Sequence, residues 1–255
     1  MVSPPYRIVW ITGMSRAGSM WLFNVTRALL REAGLEVVPE NPSVEEEGSQ
    51  ALALRHVEQG PADAIACLKS HEFLQPDLPA SRFLVPYRDV RAAAISFMRF
   101  MRCDFRQARA AAEGMMAATD HYARFDSSIA LLLGYPQIEG SPAQVVTKVA
   151  DFLDLPIEDA AAQRIAERFS KTQVQAIIER TNAGLQAKLD SGAPIQPDDV
   201  VPNVDGTYRA RDPQTSFQSN HISGLADWRE GLAPEQAAEL DALARDWLTR
   251  YDLPL

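Results

Sequence analysis

Lys69-Ser70-His71 places an ammonium and an imidazole two residues apart. On an extended segment, residues i and i+2 point to the same side, so the pair would present a cation and a proton acceptor to one anionic site. A histidine side chain, with an ordinary pKa of about 6.5, removes a proton from a hydroxyl close to neutral pH. The same residues also suit an ordinary surface position at a strand end.

Such a pair needs a cradle for the anion, and the stretch Ile11 to Trp21, ITGMSRAGSMW, offers one. Gly13 and Gly18 have the spacing of the nucleotide-binding loop G-x-x-x-x-G-K-[ST], but Ser19 and Met20 follow Gly18 and no lysine does. Successive backbone N–H groups from Ser15 to Ser19, opening a helix, would form an anion nest, with Ser15, Arg16 and Ser19 adding side-chain donors. Without the lysine, phosphoryl transfer from ATP or GTP loses the ammonium it requires. Arginine holds phosphate or sulfate bidentately, so the loop predicts anion binding; a ligand-free strand-to-helix turn is the alternative.

Two further groups carry chemistry. Arg88 stands at a strand end and Ser96 two helical turns into the next element, so both reach one phosphate if the turn folds back; otherwise Arg88 pairs with Asp89. Near the C-terminus, His221 to Arg229 sets a polar, glycine-containing stretch (Ser223, Gly224) before an aromatic anchor, Trp228. Taken singly, that is a common loop-to-helix join.

The elements that must position these residues alternate between strand and helix. Strands are expected at Arg7–Thr12, Leu35–Val38, Ala62–Leu68, Arg82–Pro86 and Ile129–Leu133, from short β-branched or apolar runs. Helical spacing marks Ser19–Ala33, Ser49–Glu58, two helices between Val90 and Ala130 that break near Cys103-Asp104, Pro142–Leu153, Ile157–Gln186 and Pro234–Tyr251. Gly192–Ser219, with four prolines, reads as a long loop. Met98, Phe100, Met101, Phe105, Met115 and Met116 suit core packing or an apolar acceptor pocket. In doubly wound sheets, ligands gather beyond the carboxyl ends of the strands, where the glycine loop, Lys69-Ser70-His71 and Arg88 fall.

The totals bound the remaining possibilities. The 255 residues, 46% hydrophobic and 23% charged, suit one α/β domain spanning 1–255. A net charge of −9 and a pI near 5.0 argue against nucleic acid as a partner. Cys67 and Cys103 show neither disulfide nor zinc spacing, and no run of about 18 apolar residues or leader-like segment is present, so a soluble cytoplasmic protein with no membrane span is expected. The sequence leaves the oligomeric state open.

In their order and spacing, the four groups resemble the cytosolic-type sulfotransferase family, whose donor is 3′-phosphoadenosine 5′-phosphosulfate. Ser15-Arg16-Ala17-Gly18-Ser19-Met20-Trp21 is similar to that family's P-K-S-G-T-T-W loop, Lys69-Ser70-His71 to its K-T-H, and Arg88 with Ser96 to its 3′-phosphate signature. Ser223-Gly224-Leu225-Ala226-Asp227-Trp228-Arg229 is similar to its closing G-x-x-G-D-W-[KR]. The resemblance implies a three-layer α/β/α fold around a central parallel sheet, of P-loop nucleotide-kinase type.

It also implies roles. His71 would be the general base for the acceptor, and Lys69 would stabilise charge on the transferring sulfuryl group. Arg16, Ala17, Gly18 and Ser19 would cradle the 5′-phosphosulfate, Trp21 would stack on adenine, and Arg88 and Ser96 would bind the 3′-phosphate. Arg16 replaces the family's loop lysine, which opens two roles for it, catalysis and donor binding. His221 falls where the family often has an arginine for the 3′-phosphate, and Tyr135, in Gly134-Tyr135-Pro136, stands where many members carry Tyr-Glu-Asp. The resemblance requires no metal, and its acceptor would be a small-molecule hydroxyl, or less commonly an amine. A P-loop small-metabolite kinase and a non-catalytic nucleotide-binding protein on the same fold are the alternatives.

Overall fold

The computed structural model describes residues 5–40, 49–61, 63–218 and 227–253. Five strands form one parallel sheet: β1 (Ile8–Ile11), β2 (Glu36–Val38), β3 (Ala64–Lys69), β4 (Ser81–Tyr87) and β5 (Ala130–Gly134), in the order β2-β3-β1-β4-β5. The expected strands are all present, each within a few residues of the anticipated bounds. β1 lies at the centre between β3 and β4: β2 takes the edge on one side, β3 fills the place beside β1, and β4 and β5 then extend the other side. A crevice opens beyond the strand ends at that reversal.

Both sheet faces are apolar because helices cover both, which is what parallel pairing requires. Along the strands the side chains alternate: Val9, Ile11, Cys67 and Leu84 join one core cluster, while Ile8, Trp10, Leu68 and Phe83 join another. The first cluster packs on α1 (Ser19–Glu32), α6 (Pro142–Phe152), α7 (Asp159–Arg168) and α8 (Lys171–Ser191). On the opposite face the second cluster packs on α2 (Ser49–Gln59) and on Tyr122 at the end of α4 (Phe105–Tyr122). A third cluster joins α3 (Val90–Met101), α4 and α9 (Pro234–Arg250) through Ile95, Ala112, Leu240 and Trp247. Short α5 (Tyr135–Gly140) follows β5 directly.

Two expectations need correction. The helical span Ile157–Gln186 is two helices that meet at Phe169-Ser170, because Phe169 turns into the core and Ser170 caps α8 by accepting from the Gln173 N–H. The stretch Gly192–Ser219 is not all loop. It carries a 3₁₀ turn at Pro197–Asp199 and an antiparallel hairpin of β6 (Val200–Pro202) and β7 (Tyr208–Ala210). Three-residue strands interrupted by proline give no period to read. Among the described residues, no helix is long and apolar enough to cross a membrane.

Candidate active site

Strand register decides which groups meet. Ile11 pairs with Lys69 on one side and Leu84 on the other, so the loop leaving β1 starts level with the end of β3. Tyr87 pairs with Gly134, so Arg88 and Tyr135, the next residues, emerge side by side. The guanidinium of Arg88 lies 4.3 Å from the Tyr135 ring centroid. All these segments face a cavity of about 840 Å³.

The β1 loop holds an unusual backbone. Gly13 and Gly18 have φ of 92° and 89°, and Arg16, which carries a Cβ, has φ of 61°. A Cβ on Gly13 would stand 2.7 Å from Val85 Cγ1 and one on Gly18 3.3 Å from the Tyr135 ring, so φ favours glycine at both positions, with a clash added at Gly13 and a tight contact at Gly18. Gly18 caps α1 without a side-chain acceptor, which leaves the first N–H groups of the helix directed into the loop. Ser15, Arg16, Gly18, Ser19, Met20 and Trp21 line the cavity. Ala17 is fully buried beside Met14, so only its backbone can face an anion.

Arg16 is the most strained cation. Its Nε donates to Ser96 Oγ at 3.1 Å, and its guanidinium packs 4.0 Å from the centre of the Phe100 ring. Burial, then repulsion from Arg88 and Arg209, pushes it down to about 10. An anion placed here would relieve both effects. Ser96 therefore meets Arg16 rather than Arg88, although all three line the same cavity. Asp89, expected as the alternative partner of Arg88, instead caps α3 and binds Arg91 at 2.9 Å, and Arg88 turns to the cavity.

Lys69 and His71 do point to one side. Lys69 Nζ lies 3.0 Å from His71 Nε2, and His71 Nδ1 lies 3.0 Å from the Gly13 carbonyl oxygen. A carbonyl only accepts and an ammonium only donates, so Nδ1 carries the hydrogen and Nε2 presents its lone pair. The loop that would hold the anion thus also orients the His71 imidazole.

Sequence reasoning missed two cations. Arg209, from β7, packs 4.1 Å from the Phe100 ring centre, and its Nη1 donates to the Phe100 carbonyl at 2.9 Å and to Asn203 Oδ1 at 2.6 Å. Lys171, at the start of α8, faces the cavity and pairs with Glu139. A stretch rich in proline and a long amphipathic helix gave no signal for either. Of the methionines and phenylalanines offered for an acceptor pocket, Phe100 and Met101 line the cavity; Met115 is buried, and Met98, Phe105 and Met116 pack on the third core cluster. His221, Ser223 and Gly224 lie outside the described residues.

A central parallel sheet with a glycine loop at its switch point and cations converging on one cavity defines a P-loop-like α/β protein of the nucleotide-kinase type. Within that class the chain belongs to the sulfotransferase family: the sulfotransferase-domain model matches residues 7–180. It is an enzyme of sulfuryl transfer, which sets aside the kinase alternative. The fold is similar to that of mouse sulfotransferase SULT7A1 complexed with PAP, with a TM-score of 0.60 and 14% identity over 98% of this chain and 86% of that one. It is also similar to retinol dehydratase in complex with androsterone and inactive cofactor PAP (TM-score 0.58, 15% identity, 100% and 83% covered). A second retinol dehydratase structure, with retinol and PAP, gives a TM-score of 0.57 at 15% identity, with 100% and 84% covered. No curated protein sequence matches the chain.

Proposed function

We propose that the protein moves a sulfuryl group from 3′-phosphoadenosine 5′-phosphosulfate to a hydroxyl, or secondarily an amine, of a small molecule. The observation that carries this reading is the pair of bonds at His71, which leaves Nε2 as a base beside Lys69 in a cavity lined by Arg16, Arg88 and Arg209. The residues fit such a donor: two glycines hold a loop open to an anion, and the guanidinia of Arg16, Arg88 and Arg209 line the same cavity, whose Glu139 pairs with Lys171.

The donor supplies the activated sulfuryl group. The backbone from Ser15 to Ser19, with Arg16, would hold its phosphosulfate end; Arg88, Ser96 and Lys171 would hold the 3′-phosphate, and Trp21 and Tyr135 the adenine. His71 Nε2 would take the acceptor proton as the acceptor oxygen bonds to sulfur and the bond from sulfur to the donor's phosphate oxygen breaks, with 3′-phosphoadenosine 5′-phosphate as the leaving group. Lys69, a neighbour of that same nitrogen, donates to the oxygen where negative charge grows. Positioning and fixed cations provide the driving force. A small-molecule acceptor is supported by the apolar wall of Phe97, Phe100 and Met101, and by the androsterone and retinol held in the similar structures.

The test uses 3′-phosphoadenosine 5′-phosphate with purified protein. A ligand at a hundredfold excess over its dissociation constant stabilises the folded state by about 2.7 kcal/mol, so the melting temperature should rise; no shift at millimolar nucleotide rejects the donor assignment. His71→Ala should retain nucleotide binding and lose turnover by about 10²- to 10⁴-fold against a panel of phenols, sugars and alcohols.

A further inference from the structure

The hydroxyl of Tyr122 is fully buried, at the end of α4 and outside the cavity, and all its hydrogen-bonding capacity is spent on the two segments that hold the base. It accepts from Thr12 Oγ1 at 2.8 Å and from the Leu74 N–H at 2.9 Å, and it donates to the Glu72 carbonyl at 2.6 Å. Thr12 adjoins Gly13, whose carbonyl accepts from His71 Nδ1, and Glu72 adjoins His71. The contacts therefore close a circuit through Thr12, Gly13, His71, Glu72 and Tyr122.

The surroundings make this circuit rigid. The Tyr122 ring packs against His121 and Phe125 with centroids 4.9 and 5.2 Å apart, and against Phe83 at 6.0 Å. His121 Nε2 donates to the Leu74 carbonyl at 2.7 Å, a second tie between α4 and the segment after the base. Burial pushes the Tyr122 phenol up, so it stays a protonated donor throughout the physiological range. A phenylalanine would fill the same apolar space, so packing alone does not account for an oxygen there.

Resting on the reading of His71 as general base, we propose that Tyr122 is a positioning residue that fixes the His71 imidazole against the donor loop. Its effect on turnover passes through His71, and a double-mutant cycle isolates that effect.

Tyr122→Phe should lower kcat about tenfold or more while the affinity for 3′-phosphoadenosine 5′-phosphate stays within about threefold, since a base displaced by a fraction of an ångström loses alignment while the nucleotide keeps its contacts. In the His71→Ala background the same change should alter residual turnover by less than about twofold. Equal losses in both backgrounds, or wild-type turnover in Tyr122→Phe, overturn the inference. If Tyr122→Phe fails to melt cooperatively, Thr12→Val carries the same cycle with one bond removed, expected at about threefold and again only when His71 is present. Full turnover in His71→Ala overturns the base reading itself, and the positioning role with it; loss in His71→Ala beside an unaffected Tyr122→Phe overturns the positioning role alone.

Discussion

Lys69 Nζ and His71 Nε2 stand 3.0 Å apart, with the lysine donating to the nitrogen that would accept the substrate proton. The ammonium thus covers the lone pair of that nitrogen. Lys69→Met keeps the length of the side chain and removes the charge. It should lower kcat by about 10²- to 10³-fold, the usual cost of losing one donor at a developing negative charge, with a smaller change in nucleotide affinity. Steady-state rates alongside nucleotide titration check this.

Gly18→Ala should fail at two points. The residue keeps φ of 89°, which costs an alanine about 1–2 kcal/mol, and its Cβ would press on the Tyr135 ring at 3.3 Å. Tyr135 packs against Arg88, so the displacement reaches that guanidinium as well. Nucleotide affinity should fall at least about tenfold, equivalent to about 1.4 kcal/mol, by calorimetric titration.

Arg209 ties the β6–β7 hairpin to the end of α3 through the Phe100 carbonyl and braces the hairpin's own turn through Asn203. Arg209→Ala should expose residues 200–211 to faster amide hydrogen exchange, since it breaks several charge-assisted bonds of about 1.5–3 kcal/mol each. Removing a neighbouring positive charge should also ease the repulsion on Arg16. Exchange unchanged across the hairpin would show that other contacts hold it.

Acid should loosen α9 from α3. Hydrogen bonding from Arg91 holds the Asp241 carboxyl below the usual range. A carboxylate with a depressed folded pKa contributes stability that is present above its unfolded value of about 3.9 and lost as pH falls through the folded value. The melting temperature should therefore drop below about pH 4, and by less in Asp241→Asn. At neutral pH that variant should cost about 1 kcal/mol, or roughly 2–4 °C, because Asp89 still pairs with the buried Arg91.

Much of this site is legible along the chain because its parts are local. Gly13 and Gly18 mark the loop by spacing, Lys69 and His71 share a side by strand geometry, and five apolar runs mark the sheet. What spacing cannot carry is pairing across the fold. The meeting of Arg88 with Tyr135 depends on a parallel register, and that of Arg16 with Ser96 on the angle at which α3 leaves β4. Arg209 enters from a hairpin too short to show a period. Tyr122, at the end of α4, joins His71 through carbonyls and a threonine distant in sequence.

The register of the sheet has one more consequence. β3, β1 and β4 are adjacent, and neighbouring strands lie about 4.8 Å apart, so Lys69 and the level residue Leu84 are separated by roughly 10 Å of hydrogen-bond lattice, with Arg88 four residues farther along the chain from Leu84. The backbone thus works as a gauge block: it sets the spacing of the two cations, and surface drift in the surrounding loops leaves that spacing unchanged.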